Sequence, residues 1–199
     1  MAKKVLEIVG GVLGALVLVA VIYVVYVMTS YYRLDDSLSL ETASPEEGQV
    51  ESVIELNAGS QGPAQEFTIV SANLGFGAYG PDFDFFMDGG SGSVAPSAQY
   101  VSDNVNGSAD AIEGIDPDIV LFQEVDIDGT RSHGVDEYAL LRNDFPTLCS
   151  VFAQNYDSPY LAWPLYAPHG KNKAGMATFS RYQICLLYTS PSPRDRQKS

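Results

Sequence analysis

The chain has 199 residues, 46% hydrophobic and 18% charged, enough apolar material for the core of one domain with appendages. Its formal net charge is −14, and between Asp35 and Ile184 it sets 23 acidic residues against five basic ones. A surface of that sign repels polyanions, which excludes tight, sequence-blind DNA binding unless divalent cations screen it. The two cysteines, Cys149 and Cys185, exclude a disulfide framework.

The first element is apolar throughout. From Ile8 to Met28 no residue is charged, and 21 residues rising about 1.5 Å each cover roughly 30 Å, the thickness of a bilayer core. Residues 8–29 are therefore expected to form a transmembrane helix. A cleavable signal peptide is the competing reading, but the run exceeds an ordinary h-region, and TSYYRLDD after it offers no small-x-small cleavage site. Lys3 and Lys4 precede the helix, while Arg33 is followed closely by Asp35 and Asp36. The positive end stays inside, which places residues 1–7 in the cytoplasm, Tyr31 and Tyr32 in the far headgroup layer and the bulk of the chain outside.

Residues 30–64 are polar, acidic and rich in Ser, Gly and Pro, the composition of a stalk, with only Val50 to Leu56 hinting at a strand. Globular signals occupy residues 65–184. FTIVSANL alternates and is β-branched, a strand ending at Asn73. Ser97 is placed as an N-cap, and Val101, Val105, Ala109 and Ile112 recur at helical spacing up to Gly114. DIVLFQEV, Asp118 to Val125, reads as a buried strand. A second helix is expected over Asp136 to Asn143, with strands near Ser150 to Ala153 and Gly175 to Phe179.

Two side chains stand out. Glu124 is a carboxylate at the end of an otherwise apolar strand, where charge is costly unless a metal or hydrogen-bond donors compensate it. Asn73 ends the other confident strand, and its amide can donate to a phosphate oxygen while accepting from a neighbour. Each has an ordinary alternative, a solvated strand end for Glu124 and a turn for Asn73. Asp126 and Asp128 are expected in a turn beside Glu124, with Asp126 near enough to reach a metal through water. Lys171, Asn172 and Lys173 form the one basic cluster before the tail, and Lys171 and Asn172 are candidate substrate-binding residues against a solvated-loop alternative. GFGAYG matches G-x-G-x-x-G, but the following PDFDFFMDGG opens no helix, so no dinucleotide fingerprint forms.

In combination, SANLG around Asn73, PDIVLFQEVD around Glu124 and GMATFSR from Gly175 to Arg181 resemble the endonuclease/exonuclease/phosphatase superfamily. The resemblance implies an α/β four-layer α-β-β-α sandwich, here incomplete, behind one transmembrane helix. It implies that Glu124 is the metal-binding glutamate and that Asn73 is an active-site asparagine beside metal and phosphate. Mg²⁺ or Mn²⁺ is the implied cofactor, and hydrolysis of a phosphodiester or phosphomonoester the implied activity. The substrate stays open among a small molecule, a lipid headgroup and a nucleic acid.

The family's later GD-x-N and S-D-H motifs do not occur, and His133 and His169 are not placed to replace the missing histidine. The chain is accordingly expected to be a truncated, inactive piece of such an enzyme. A non-catalytic extracellular binding or sensory module on the same fold is the alternative. Residues 185–199, ending in SPSPRDRQKS, carry no periodicity and read as a non-native tail, with a disordered natural tail as the alternative.

Overall fold

The computed structural model describes residues 2–30, 32, 38–45, 50 and 66–185. Helix α1 (Ala2–Thr29) is 28 residues long and has no buried residue. It is long and apolar enough to cross a membrane, and it starts six residues earlier than the sequence suggests because Lys3, Lys4 and Glu7 are themselves good helix formers. Most of the strand suggested at Val50 to Leu56 and the tail beyond Cys185 lie outside the described residues.

Five strands make one mixed sheet in the order β1-β4-β5-β3-β2: β1 (Thr42–Ala43), β2 (Ile69–Asn73), β3 (Ile119–Gly129), β4 (Cys149–Asp157) and β5 (Asn172–Ser180). Among the strands of the described residues, only β2 and β3 pair in parallel. Their crossover carries α2 (Ala98–Glu113), the connection a parallel pair requires. Ser97 caps that helix by accepting the Tyr100 N–H at 3.1 Å. Gly114 closes it with φ −61, and the left-handed turn comes two residues later at Asp116. The short helix α3 (Glu137–Asp144) is capped by Asp136, whose carboxylate accepts the Ala139 N–H.

Helices α2 and α3 lie on one face of the sheet. Val101, Val105, Ala109 and Ile112 of α2 join Leu141 and Phe145 against Val120, Phe122 and Phe179 in a single core. The opposite face leaves Ile69, Leu121 and Met176 exposed at 58%, 38% and 46%. Within the stretch read as a stalk, Thr42 and Ala43 add an edge strand by pairing with Val151 and Ser150. Mixed helix and sheet, with helices on one sheet face and apolar side chains bare on the other, are consistent with an incomplete α/β sandwich.

Candidate active site

The parallel pairing of β2 with β3 sets Asn73 opposite Gln123, one residue from Glu124. Glu124 does not end β3. The strand continues to Gly129, and the ladder with β5 slips between Phe122 and Val125, a β-bulge in which Glu124 takes the left-handed conformation at φ 54. A bulge opposes two residues to one and re-aims the side chain it carries. Here it turns Glu124 to solvent, while Val125 and Asp126 on either side of the next peptide are both buried.

The two sequence-derived residues meet. Asn73 Nδ2 donates to Glu124 Oε1 at 3.0 Å, and the Gly75 N–H donates to Asn73 Oδ1 at 2.8 Å. Both polar ends of the amide are engaged, so Asn73 orients the carboxylate and is itself oriented by the turn that follows. That turn runs through Phe76 at φ 47, buried against Phe83 and Phe85. Beside it a cleft of about 230 Å³ is lined by Asn73, Tyr79 and Asn104. A larger cavity of about 410 Å³ lies at the opposite end of the sheet, around Asp116, Asp144 and Arg181, away from this pair.

Asp126 is not in a turn. It is fully buried on β3, and its carboxylate receives Arg131 Nη2 at 2.7 Å and Nε at 3.0 Å. Burial works against the guanidinium charge, but the bonds and charge of Asp126 outweigh it and hold the Arg131 pKa above its ordinary value, with Glu124 adding to the effect. Arg131 also lies over the Phe76 ring at 4.3 Å, which joins the β3 loop to the Asn73 turn. Tyr79, pushed up to about 12 by partial burial and then by its bond to Asp88, feels the Glu124 charge as well. Arg131 and Tyr79 are thus the electrostatic surroundings that sequence reading does not connect with Glu124. Phe76, buried between them, is held by a backbone geometry that leaves no periodic trace.

Lys171 is exposed beyond the ends of β3 and β5, with Nζ 3.5 Å from Asp128 Oδ2. Asn172 faces inward. It is fully buried, its Oδ1 accepts the Arg131 N–H, and its Nδ2 donates to His169 O. Its neighbours use up its amide, so it ties loops together and presents nothing to solvent. His169 is likewise buried, among Phe76, Phe85 and Phe86. Burial lowers its pKa and its bond to Ser93 O opposes that, leaving a ring disposed to stay neutral.

Among the described residues no group of three His, Cys, Asp or Glu side chains is arranged to hold a metal ion. The sequence model of the Endonuclease/Exonuclease/phosphatase family matches residues 71–198, which takes in the end of β2 and all of α2, β3, α3, β4 and β5. The chain belongs to this family. No curated protein and no solved structure matches the chain. The match begins at Ser71, two residues before Asn73, and runs past Cys185 through most of the segment read as a non-native tail. The Endonuclease/Exonuclease/phosphatase assignment makes this a hydrolase-type fold whose relatives act on phosphoesters or nucleic acids, typically with divalent metals.

Proposed function

We propose that the chain is a membrane-anchored, Mg²⁺- or Mn²⁺-dependent phosphoesterase, with α1 crossing the bilayer, residues 1–7 in the cytoplasm and the sheet domain outside. The observation that carries the reading is the Asn73–Glu124 pair: an exposed carboxylate on a left-handed bulge, held by an amide fixed at both ends. Non-glycine residues seldom take that conformation, and it collects where a side chain has a task.

A hard divalent cation suits the donor set, because Mg²⁺ is commonly held by one or two carboxylates, several waters and the substrate phosphate. Glu124 would be its protein ligand, with Asn73 at its side. Such an ion, when bound, neutralises phosphoryl charge. The chain's own part is positional. Asn73 keeps the carboxylate in one orientation, and the buried Asp126–Arg131 pair keeps β3 and the Phe76 turn together. Lys171 offers a cation at the same end of the sheet to a phosphodiester or phosphomonoester substrate, which includes small molecules, lipid headgroups and nucleic acids as classes.

In protein carrying the complete family domain, Glu124→Gln is expected to remove nearly all metal-dependent hydrolysis of a chromogenic phosphodiester while leaving the fold intact. The amide keeps the shape and loses the charge. Unchanged turnover in the variant at saturating Mg²⁺ would overturn the assignment of Glu124, and no turnover in the unsubstituted protein would favour a binding module.

A further inference from the structure

From Ser158 to Gly170, between β4 and β5, SPYLAWPLYAPHG runs for thirteen residues without an acidic residue, a lysine or an arginine, in a chain holding 25 acidic residues. Its large apolar side chains point outward: Tyr160, Trp163, Leu165 and Tyr166 are 46%, 65%, 76% and 70% exposed. They are not loosely held. Leu161 and Gly170 exchange both backbone bonds at 3.0 Å, and the His169 N–H donates to Trp163 O at 3.2 Å. Ser93 Oγ donates to Ala167 O, and the Tyr166 hydroxyl donates to Ser91 O at 2.9 Å. Such a frame keeps uncharged, exposed side chains from folding back onto the domain.

The loop also touches α1. The Tyr160 N–H donates to the Tyr26 hydroxyl at 3.0 Å, and the Ala162 N–H donates to the Tyr23 hydroxyl at 2.9 Å. These contacts set a depth. The apolar run ends at Met28, so at about 1.5 Å per residue Tyr26 and Tyr23 lie roughly 3 Å and 8 Å inside its outer end. The loop backbone therefore stands at the outer boundary of the acyl core, next to the headgroup layer opposite the Lys3/Lys4 end. Trp and Tyr are the residues that favour that layer, since their rings take the apolar side and their N–H and O–H groups the wet side.

We propose that loop 158–170 is a lipid-contacting element, seated at the outer boundary between acyl chains and headgroups of the bilayer that α1 crosses and holding the Asn73–Glu124 end of the sheet toward that surface. The inference rests on α1 being a membrane anchor. Its occupant is the lipid surface, because the loop is bonded to the anchoring helix and lacks charges that would keep it in water. The loop joins the end of β4 to the start of β5, and β5 begins beside the C-terminal end of β3, so the docked edge is the one toward which β2 and β3 run.

Trp163 is the chain's single tryptophan and reports on its own loop. The full chain is reconstituted into phosphatidylcholine vesicles, washed in alkaline carbonate, and compared with the same protein in vesicles whose lipids carry bromine near the top of the acyl chain. The expected result is a blue-shifted emission that loses intensity with the brominated lipid and is shielded from aqueous iodide, while Tyr160→Ser/Leu165→Ser weakens that quenching. A carbonate-resistant protein whose Trp163 is quenched by iodide and not by bromolipid overturns the loop assignment alone. Shielding from both quenchers also overturns it, since the loop would then be covered by protein. Release of the protein by carbonate overturns the anchor and the proposal together.

Discussion

Glu137 shows how a carboxyl group far from any substrate can set the pH behaviour of the domain. It is fully buried, its Oε2 accepts the Asp126 N–H at 2.9 Å, and its Oε1 has no partner. Burial first, then the charge of Asp126, raises its pKa well above the ordinary 4.5. The folded chain therefore keeps a proton that the unfolded chain releases. This contribution to stability is complete below about pH 4.5 and is lost as pH rises through the folded value. Glu137→Gln keeps the shape without the ionisation. Denaturation midpoints taken across the acid range should converge for the two proteins at low pH and separate toward neutrality, with the variant the more stable. Parallel curves would show that Glu137 is not protonated in the folded state.

The contrast between faces of β3 gives the test for the element scale. Phe122 is 1% exposed and packs with Phe145 and Phe179, whereas Leu121 beside it is 38% exposed on the bare face. Phe122→Ala should cost about 3–5 kcal/mol, and Leu121→Ser no more than about 0.5 kcal/mol, measured as shifts in thermal or denaturant midpoint. Equal losses would mean that the second face is covered in the folded protein. Much at this scale is legible in the residues. Helix α2 announces itself through Ser97 and four apolar residues at helical spacing, and β2 through alternation. The reach of β3 is not legible, because the bulge at Glu124 breaks the alternation and sets Val125 and Asp126 side by side in the interior. An acidic DID run is read as a turn until its partner Arg131 is seen five residues on. Two-residue β1 is too short to carry any period, and the buried Asn172 between two lysines has the look of a solvated loop. Asn73 and Glu124 are legible as individuals, and the bond between them follows from parallel pairing at which only the resemblance hints.

For the whole molecule, the reading predicts a fixed sidedness. With Lys3 and Lys4 held inside, protease added to intact cells or spheroplasts should remove residues 35–184 and leave α1 in the membrane. Complete protection of that region in a membrane-bound protein would reverse the proposed orientation. The acidic surface suits that side, since Coulomb repulsion keeps such a domain soluble, and the loop beside the helix carries no charge to be driven from the membrane surface.

The parallel β2–β3 pair has a consequence in time. Asn73 and Glu124 are 51 residues apart, and closing a loop of that length costs about 3.5 kcal/mol of chain entropy beyond a constant before any contact rewards it. Helix α2 shortens that search by compacting sixteen of the intervening residues. The pair is thus assembled after its crossover has condensed, by a non-local step of the kind that slows folding. Competence at this site should appear late in refolding, after most of the helical signal has returned.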